Sequence, residues 1–221
     1  KATFGTSFLI IFGYEVRWAY LANKSNKDMD SQLQQIAQYY MLHGSFLPSL
    51  GLFNGKMGLV LFFFHYSRYI QNPLYEEFAG ELLDEVFEDV HEDIPIYFAD
   101  GLCGIGWGIV YLFQQKFVDG NVDDVLKSLD NKLLEYNLLK MNNHSLETGL
   151  LGIASYIRIR LVLDIGRESF FDTAFLQALC VACPVNYSIQ QIQAEIIRGS
   201  DGDNNLSWKK GLKIIWDQSS I

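Results

Sequence analysis

Proline and cysteine are scarce in this chain, with four prolines and three cysteines among 221 residues. So few prolines leave long stretches free to run as helix, since an interior proline breaks one. Three cysteines without regular spacing exclude a disulfide framework and fit a reducing compartment, so the expected location is cytoplasmic. Basic residues are also in short supply, 17 against 26 acidic ones, for a net charge of −9. That sign disfavours nucleic acid or an anionic membrane surface as a partner, and no local basic patch overturns it. Long apolar runs are missing too: LVLFFF and SFLIIFG fall far short of the ~18 to 20 residues that a crossing helix needs. Lys1 followed by FLIIFG has the outline of a secretory leader, but Glu15 and Arg17 interrupt it and no small-residue cleavage site is clear. A chain that does not open on Met is expected to be a processed protein or a fragment.

What is abundant is apolar and aromatic matter. Hydrophobic residues make up 49% of the chain, with 16 Phe and 12 Tyr, enough to bury a sizeable core in one domain. A repeat organises it. GLFNGKMGLVLFFFHY, FADGLCGIGWGIVYLF and LETGLLGIASYIRIRL align on a common G-x-x-G, pairing Gly55 with Gly58, Gly101 with Gly104, and Gly149 with Gly152, at spacings of 46 and 48. A degenerate fourth copy is suggested at Gly199 and Gly202, where a polar run follows in place of an apolar one.

Between the glycine pairs lie amphipathic segments. In NPLYEEFAGELLDEVFEDV, Phe78, Leu82, Val86 and Val90 form one stripe, Asn72 is a natural cap and Pro73 a natural first helical residue. NVDDVLKSLDNKLLEY follows suit, with Asn121 as cap and a stripe of Val122, Val125, Leu129, Leu133 and Tyr136. DMDSQLQQIAQYYMLHG does so less cleanly, with Gly44 as terminator. The segments after the glycine pairs are apolar nearly all round, which predicts complete burial. Half-wet and buried helices in alternation imply an all-α fold of helical hairpins in two layers, curved into an α/α toroid or a partial toroid, an arc. In such a fold each G-x-x-G turns a loop into an inner helix. The glycines are expected to allow close backbone approach and positive φ there, and to leave N–H groups facing a central mouth.

These repeats resemble those of lanthionine synthetase C-like proteins, over residues 45 to 165, with GLCGIGW and SLETGLLGI nearest to the family's wording. The organisation expected is an N-terminal segment over 1–26, hairpin repeats over 27–185 and a C-terminal segment over 186–221 that carries the degenerate copy. The resemblance implies a peptide cyclase, which adds a cysteine thiol to a dehydrated serine or threonine on a zinc ion held by cysteine and histidine ligands before the opening glycines. The residues there are Phe53-Asn54, Ala99-Asp100 and Glu147-Thr148, none of them Cys or His. No metal ligand is therefore assigned. Cys103 lies inside a G-x-x-G, and Cys180 and Cys183 read as buried structural thiols.

Three functions remain open at this point. The first is a zinc-free relative that binds, or helps modify, a peptide or small-molecule ligand in the mouth. The second is a glycan-active enzyme using Asp100 and Glu147 as acid and base, for which helix capping is the plain alternative. The third is an active cyclase with unrecognised zinc ligands. The residues expected to line the mouth are Asn54, Lys56, Asp100, Cys103, Trp107, Glu147 and Thr148, with Lys56 free to pair with Asp100 or to meet an anion. The family's closed ring holds more hairpins than the three counted here, so an arc would expose apolar inner faces unless a second copy or the chain ends cover them.

Overall fold

The computed structural model describes residues 27–91, 93–163, 169–200 and 206–219. The N-terminal segment 1–26 and Gly202 lie outside the described residues. The described residues form helices and no strand: α1 (27–43), α2 (Lys56–Ile70), α3 (Leu74–Asp89), α4 (Leu102–Gln114), α5 (Val122–Leu134), α6 (Leu150–Leu163), α7 (Thr173–Ala182), α8 (Ile189–Ile196) and α9 (Trp208–Ser219). Gly44 ends α1, and a single 3₁₀ turn, Gly44–Phe46, follows it.

The fold is all-α, and burial divides the helices into two kinds. Every residue of α4 from Leu102 to Leu112 is buried, and so is nearly all of α2. By contrast α3 buries only Ala79, Leu82, Leu83 and Val86, and Glu76, Glu77, Glu81 and Glu88 face water. Asn72 caps it, its Oδ1 accepting from the Leu74 N–H at 3.1 Å. Asn121 likewise accepts from the Asp123 N–H at the start of α5. The buried stripe of α5 runs through Val122, Leu126, Leu129 and Leu133, whereas Val125 is 49% exposed and Tyr136 falls beyond the helix. The expected stripe is thus corrected by one position: Val125 and Leu126 are both apolar, and only packing against α4 decides between them.

The buried helices lie side by side in the order α9, α2, α4, α6. Where they meet, residue numbers rise together, as they must for parallel neighbours. A Cβ on Gly58 would touch Trp208, and the Gly211 position meets Phe62. Farther along, the Trp216 indole donates to His65. Between α2 and α4, the Gly108 position meets Met57, and His65 pairs with Tyr111. Between α4 and α6, the Gly106 position meets Tyr156. The glycines on these faces let large rings on the next helix approach the backbone.

Polar links tie the layers. Asp130 of α5 is fully buried and accepts from the Tyr156 hydroxyl at 2.6 Å and from Arg160 Nε at 3.1 Å, while Arg160 Nη2 reaches Asp123 at 2.5 Å. Burying such charges is tolerable only because each is paired and hydrogen-bonded. At the other end of the row a second knot links α8 and α9 to α2 and α4. Gln193 of α8 donates to the Tyr111 hydroxyl at 3.0 Å, and His65 Nε2 lies 2.9 Å from that hydroxyl and 3.2 Å from Trp216 Nε1. Burial, aided by the charge of Arg68, pushes the His65 pKa down to about 3.

Two expectations follow. In Gly80→Ala, where an added Cβ meets open space in mid α3, urea unfolding should show a gain of about 1 kcal/mol; in Gly104→Ala, whose Cβ would overlap the Phe98 carbonyl, it should show a loss of about 3 kcal/mol. Equal effects would mean that the corner glycine is not held by sterics. For His65, the unfolded chain takes up a proton near its ordinary pKa of about 6.5, whereas the folded protein does so only near 3. The contribution is complete above the unfolded value and falls as pH drops below it, by up to about 1.4 kcal/mol per pH unit. His65→Gln should flatten that part of the acid slope, and an unchanged slope would contradict the burial.

Candidate functional site

The three G-x-x-G corners share one construction. The first helical N–H of each inner helix donates to the carbonyl seven residues earlier: Lys56 to Ser49 at 2.8 Å, Leu102 to Pro95 at 2.9 Å and Leu150 to Asn143 at 2.8 Å. The carbonyl six residues before each glycine occupies the space of a missing Cβ. For the opening glycines that atom belongs to Ser49, Pro95 and Asn143, at 2.4, 2.2 and 2.5 Å from an ideal Cβ on Gly55, Gly101 and Gly149. For the second glycines it belongs to Leu52, Phe98 and Leu146, at 2.4, 1.8 and 2.3 Å from Gly58, Gly104 and Gly152. No side chain fits at any of the six.

This corrects two expectations. None of these glycines has positive φ; Gly55 and Gly101, at φ −126° and −134°, are extended. Gly199 differs, with φ +78° and nothing within 4 Å of an added Cβ. Nor do the first N–H groups face a ligand, because loop carbonyls take them; in α2 the same holds for Met57 and Gly58, bonded to Leu50 and Gly51.

The corners are adjacent and in register. The Phe53 N–H donates to the Ala99 carbonyl at 2.8 Å, and the Ala99 N–H to the Glu147 carbonyl at 3.0 Å, each linking the residue two before an opening glycine to its counterpart in the next repeat. The exposed side chains beside this ladder are Asn54, Asp100, Glu147 and Thr148. Asn54 Nδ2 lies 3.4 Å from Asp100 Oδ1, and Asn54 Oδ1 accepts from Lys209 Nζ at 3.1 Å. Burial pushes the Lys209 pKa below the usual lysine range, and the charges of Asp100 and Glu147 pull it part of the way back. One lysine and two carboxylates therefore share the N-terminal end of the inner row.

Lys209 is the member that sequence reasoning missed. The signal was present in SWKKG: two lysines in the first turn of a helix oppose its dipole, so something nearby must compensate them. Asp100 does not act as a side-chain cap for α4, whose first N–H is taken by Pro95. Thr148 is bound within its own loop, accepting from Asn143 Nδ2 at 3.0 Å.

Three residues expected in the mouth lie elsewhere. Lys56 is buried and bonds Glu85 at 2.7 Å and Asp89 at 3.5 Å, so its partners are on α3 and not at Asp100. Burial penalises its charge, but Glu85 and Asp89 together more than offset this and the lysine pKa stands above its ordinary value. Cys103 is fully buried and its thiol pushed well up by burial. Trp107 is 1% exposed and stacks on Tyr111. Both sit inside α4, beyond the corner, on a helix buried along this stretch.

The donor set does not fit the zinc site that the resemblance implies. Cys103 lies in the core, Cys183 is buried at the end of α7, and Cys180 is exposed, a departure from its expected burial. Among the described residues no group of three or more His, Cys, Asp or Glu could hold a metal. No helix among them is long and apolar enough to cross a membrane. Comparison with protein-family models, curated proteins and solved structures finds no match for this chain.

Removing the negative charge in Asp100→Asn should shift Lys209 further down, since that carboxylate favours the ammonium. Titration of the Lys209 side chain by nitrogen-15 NMR checks this. An unchanged or raised value would separate the two residues.

Proposed function

We propose that this chain is a peptide-binding relative of the lanthionine synthetase C-like proteins, one that holds its ligand at the corner end of the inner helices without forming thioethers. The observation that carries the reading is the in-register ladder through Phe53, Ala99 and Glu147, which sets Asn54, Asp100, Glu147 and Lys209 beside one another. A row of parallel inner helices with their corners together is what a toroid or arc of this kind requires. Donors and acceptors of both signs at one end suit an extended peptide, whose backbone presents both. A carboxylate pair for glycan hydrolysis draws less support, because both carboxylates are exposed and a general acid relies on burial to keep its proton.

The test uses a fluorescein-labelled decapeptide carrying one dehydroalanine and one downstream cysteine. Anisotropy should show binding that weakens at least tenfold in Asp100→Asn and Lys209→Met, corresponding to about 1.4 kcal/mol, while the cysteine stays titratable as a free thiol. Loss of the thiol on incubation would favour a cyclase. Binding indifferent to both substitutions would place the ligand elsewhere.

A further inference from the structure

The three corners are alike, but the gaps between them are not. In the first gap Gly51 lies against the second corner, and an added Cβ there would come 2.3 Å from Asp100 Cα. No space remains. The residue 46 positions later, at the equivalent place in the second corner, is Tyr97, and the counterpart of Asp100 is Thr148. An aromatic ring thus stands where the first repeat has only hydrogen, although the second and third corners remain bonded through the Phe98 and Ala99 N–H groups and the Glu147 carbonyl. A cavity of about 220 Å³ opens between them, lined by Ile96, Tyr97, Tyr136, Met141, Thr148 and Ile153 among others.

From this break in the repeat we propose a side-chain subsite for the peptide ligand: an apolar residue the size of phenylalanine, flanked by a basic one, docks between the second and third corners. The inference rests on the peptide-binding reading. Size selects the occupant, because small-molecule pockets run to ~300–1,000 Å³ and this one holds a single side chain. The walls are apolar or aromatic, with Tyr97 and Tyr136 still 45% and 38% exposed and so able to bury further area. Charge selects the flank. Asp93, Glu135 and Glu147, all exposed, lie within two residues of the lining, and they outnumber the nearby bases, Lys140 and Lys132, the latter already donating to the Ile94 carbonyl. Glu147 also joins the subsite to the corner cluster, since its carbonyl bonds the second corner while the next residue lines the cavity.

The test compares acetyl-Gly-Lys-Phe-Lys-Ser-Gly-amide with the same peptide carrying Gly for Phe, and with one carrying Glu for both Lys. The Phe peptide should bind at least tenfold more tightly than either. Tyr97→Gly, which gives the second corner the residue of the first, should remove an aromatic wall of the cavity and erase the Phe preference while leaving binding of the Gly peptide intact. Equal binding of the Phe and Gly peptides, or a preference that survives Tyr97→Gly, overturns the subsite. Amide shifts of the nitrogen-15-labelled wild-type protein do not depend on how the variant folds. With the Phe peptide, shifts at Ile96, Tyr97, Tyr136 and Ile153 together with Asn54 and Asp100 support both readings. Shifts at Asn54 and Asp100 alone sink the subsite and keep the peptide reading, shifts at the lining alone do the reverse, and none at either place sinks both.

Discussion

A carbonyl oxygen pressed against a bare glycine Cα fixes the architecture of this protein. At each corner the loop folds back so that one carbonyl both fills the space of a side chain on the opening glycine and takes the first N–H of the helix that follows, while the carbonyl three residues later fills that space on the second glycine. Helix ends normally leave such groups to capping side chains or water. Here the loop backbone supplies the cap, so the inner helices start at one level and their corners can bond one another. With α2, α4 and α6 aligned in this way, their buried faces meet in parallel, and α9 extends the row from the far side of α2.

That construction decides what chemistry the corner end can offer. With the first N–H of α2, α4 and α6 already bonded to loop carbonyls, and the next two in α2 as well, recognition at this end falls largely to side chains. Those present are an amide, two carboxylates and a lysine kept partly out of water. A lysine at a helix start is unfavourable with respect to the dipole, and the nearby carboxylates offset this. The arrangement makes the corner end of the row polar but nearly balanced, in contrast to the strongly acidic exposed surface of α3.

The glycine corners were legible in the sequence because their cause is local: both clashing atoms lie six residues apart, so the pattern recurs wherever the loop does. Capping by Asn72 and Asn121 was legible for the same reason. What could not be read depends on distant neighbours. Lys56 stands in a corner motif yet turns to Glu85, 29 residues on. Val125 and Leu126 are interchangeable by composition, and only the position of α4 sends one inward. The fourth inner helix was the largest omission, since α9 carries no G-x-x-G. It joins the row through Gly211 beneath Phe62 and through Trp208 and Trp216, contacts no repeat period announces. Lys209 was hidden along with it.

The ladder between corners is the element on which both the fold and the site depend, and native-state hydrogen exchange reads it directly. The Phe53 and Ala99 amides lie in loops outside any helix, where exchange is ordinarily fast. If the corners are joined as described, these two amides exchange slowly, at rates comparable to those of buried helix amides in α2 and α4. Exchange as rapid as that of an open loop would mean that the corners are not bonded to one another, and the side chains beside them would not form one site.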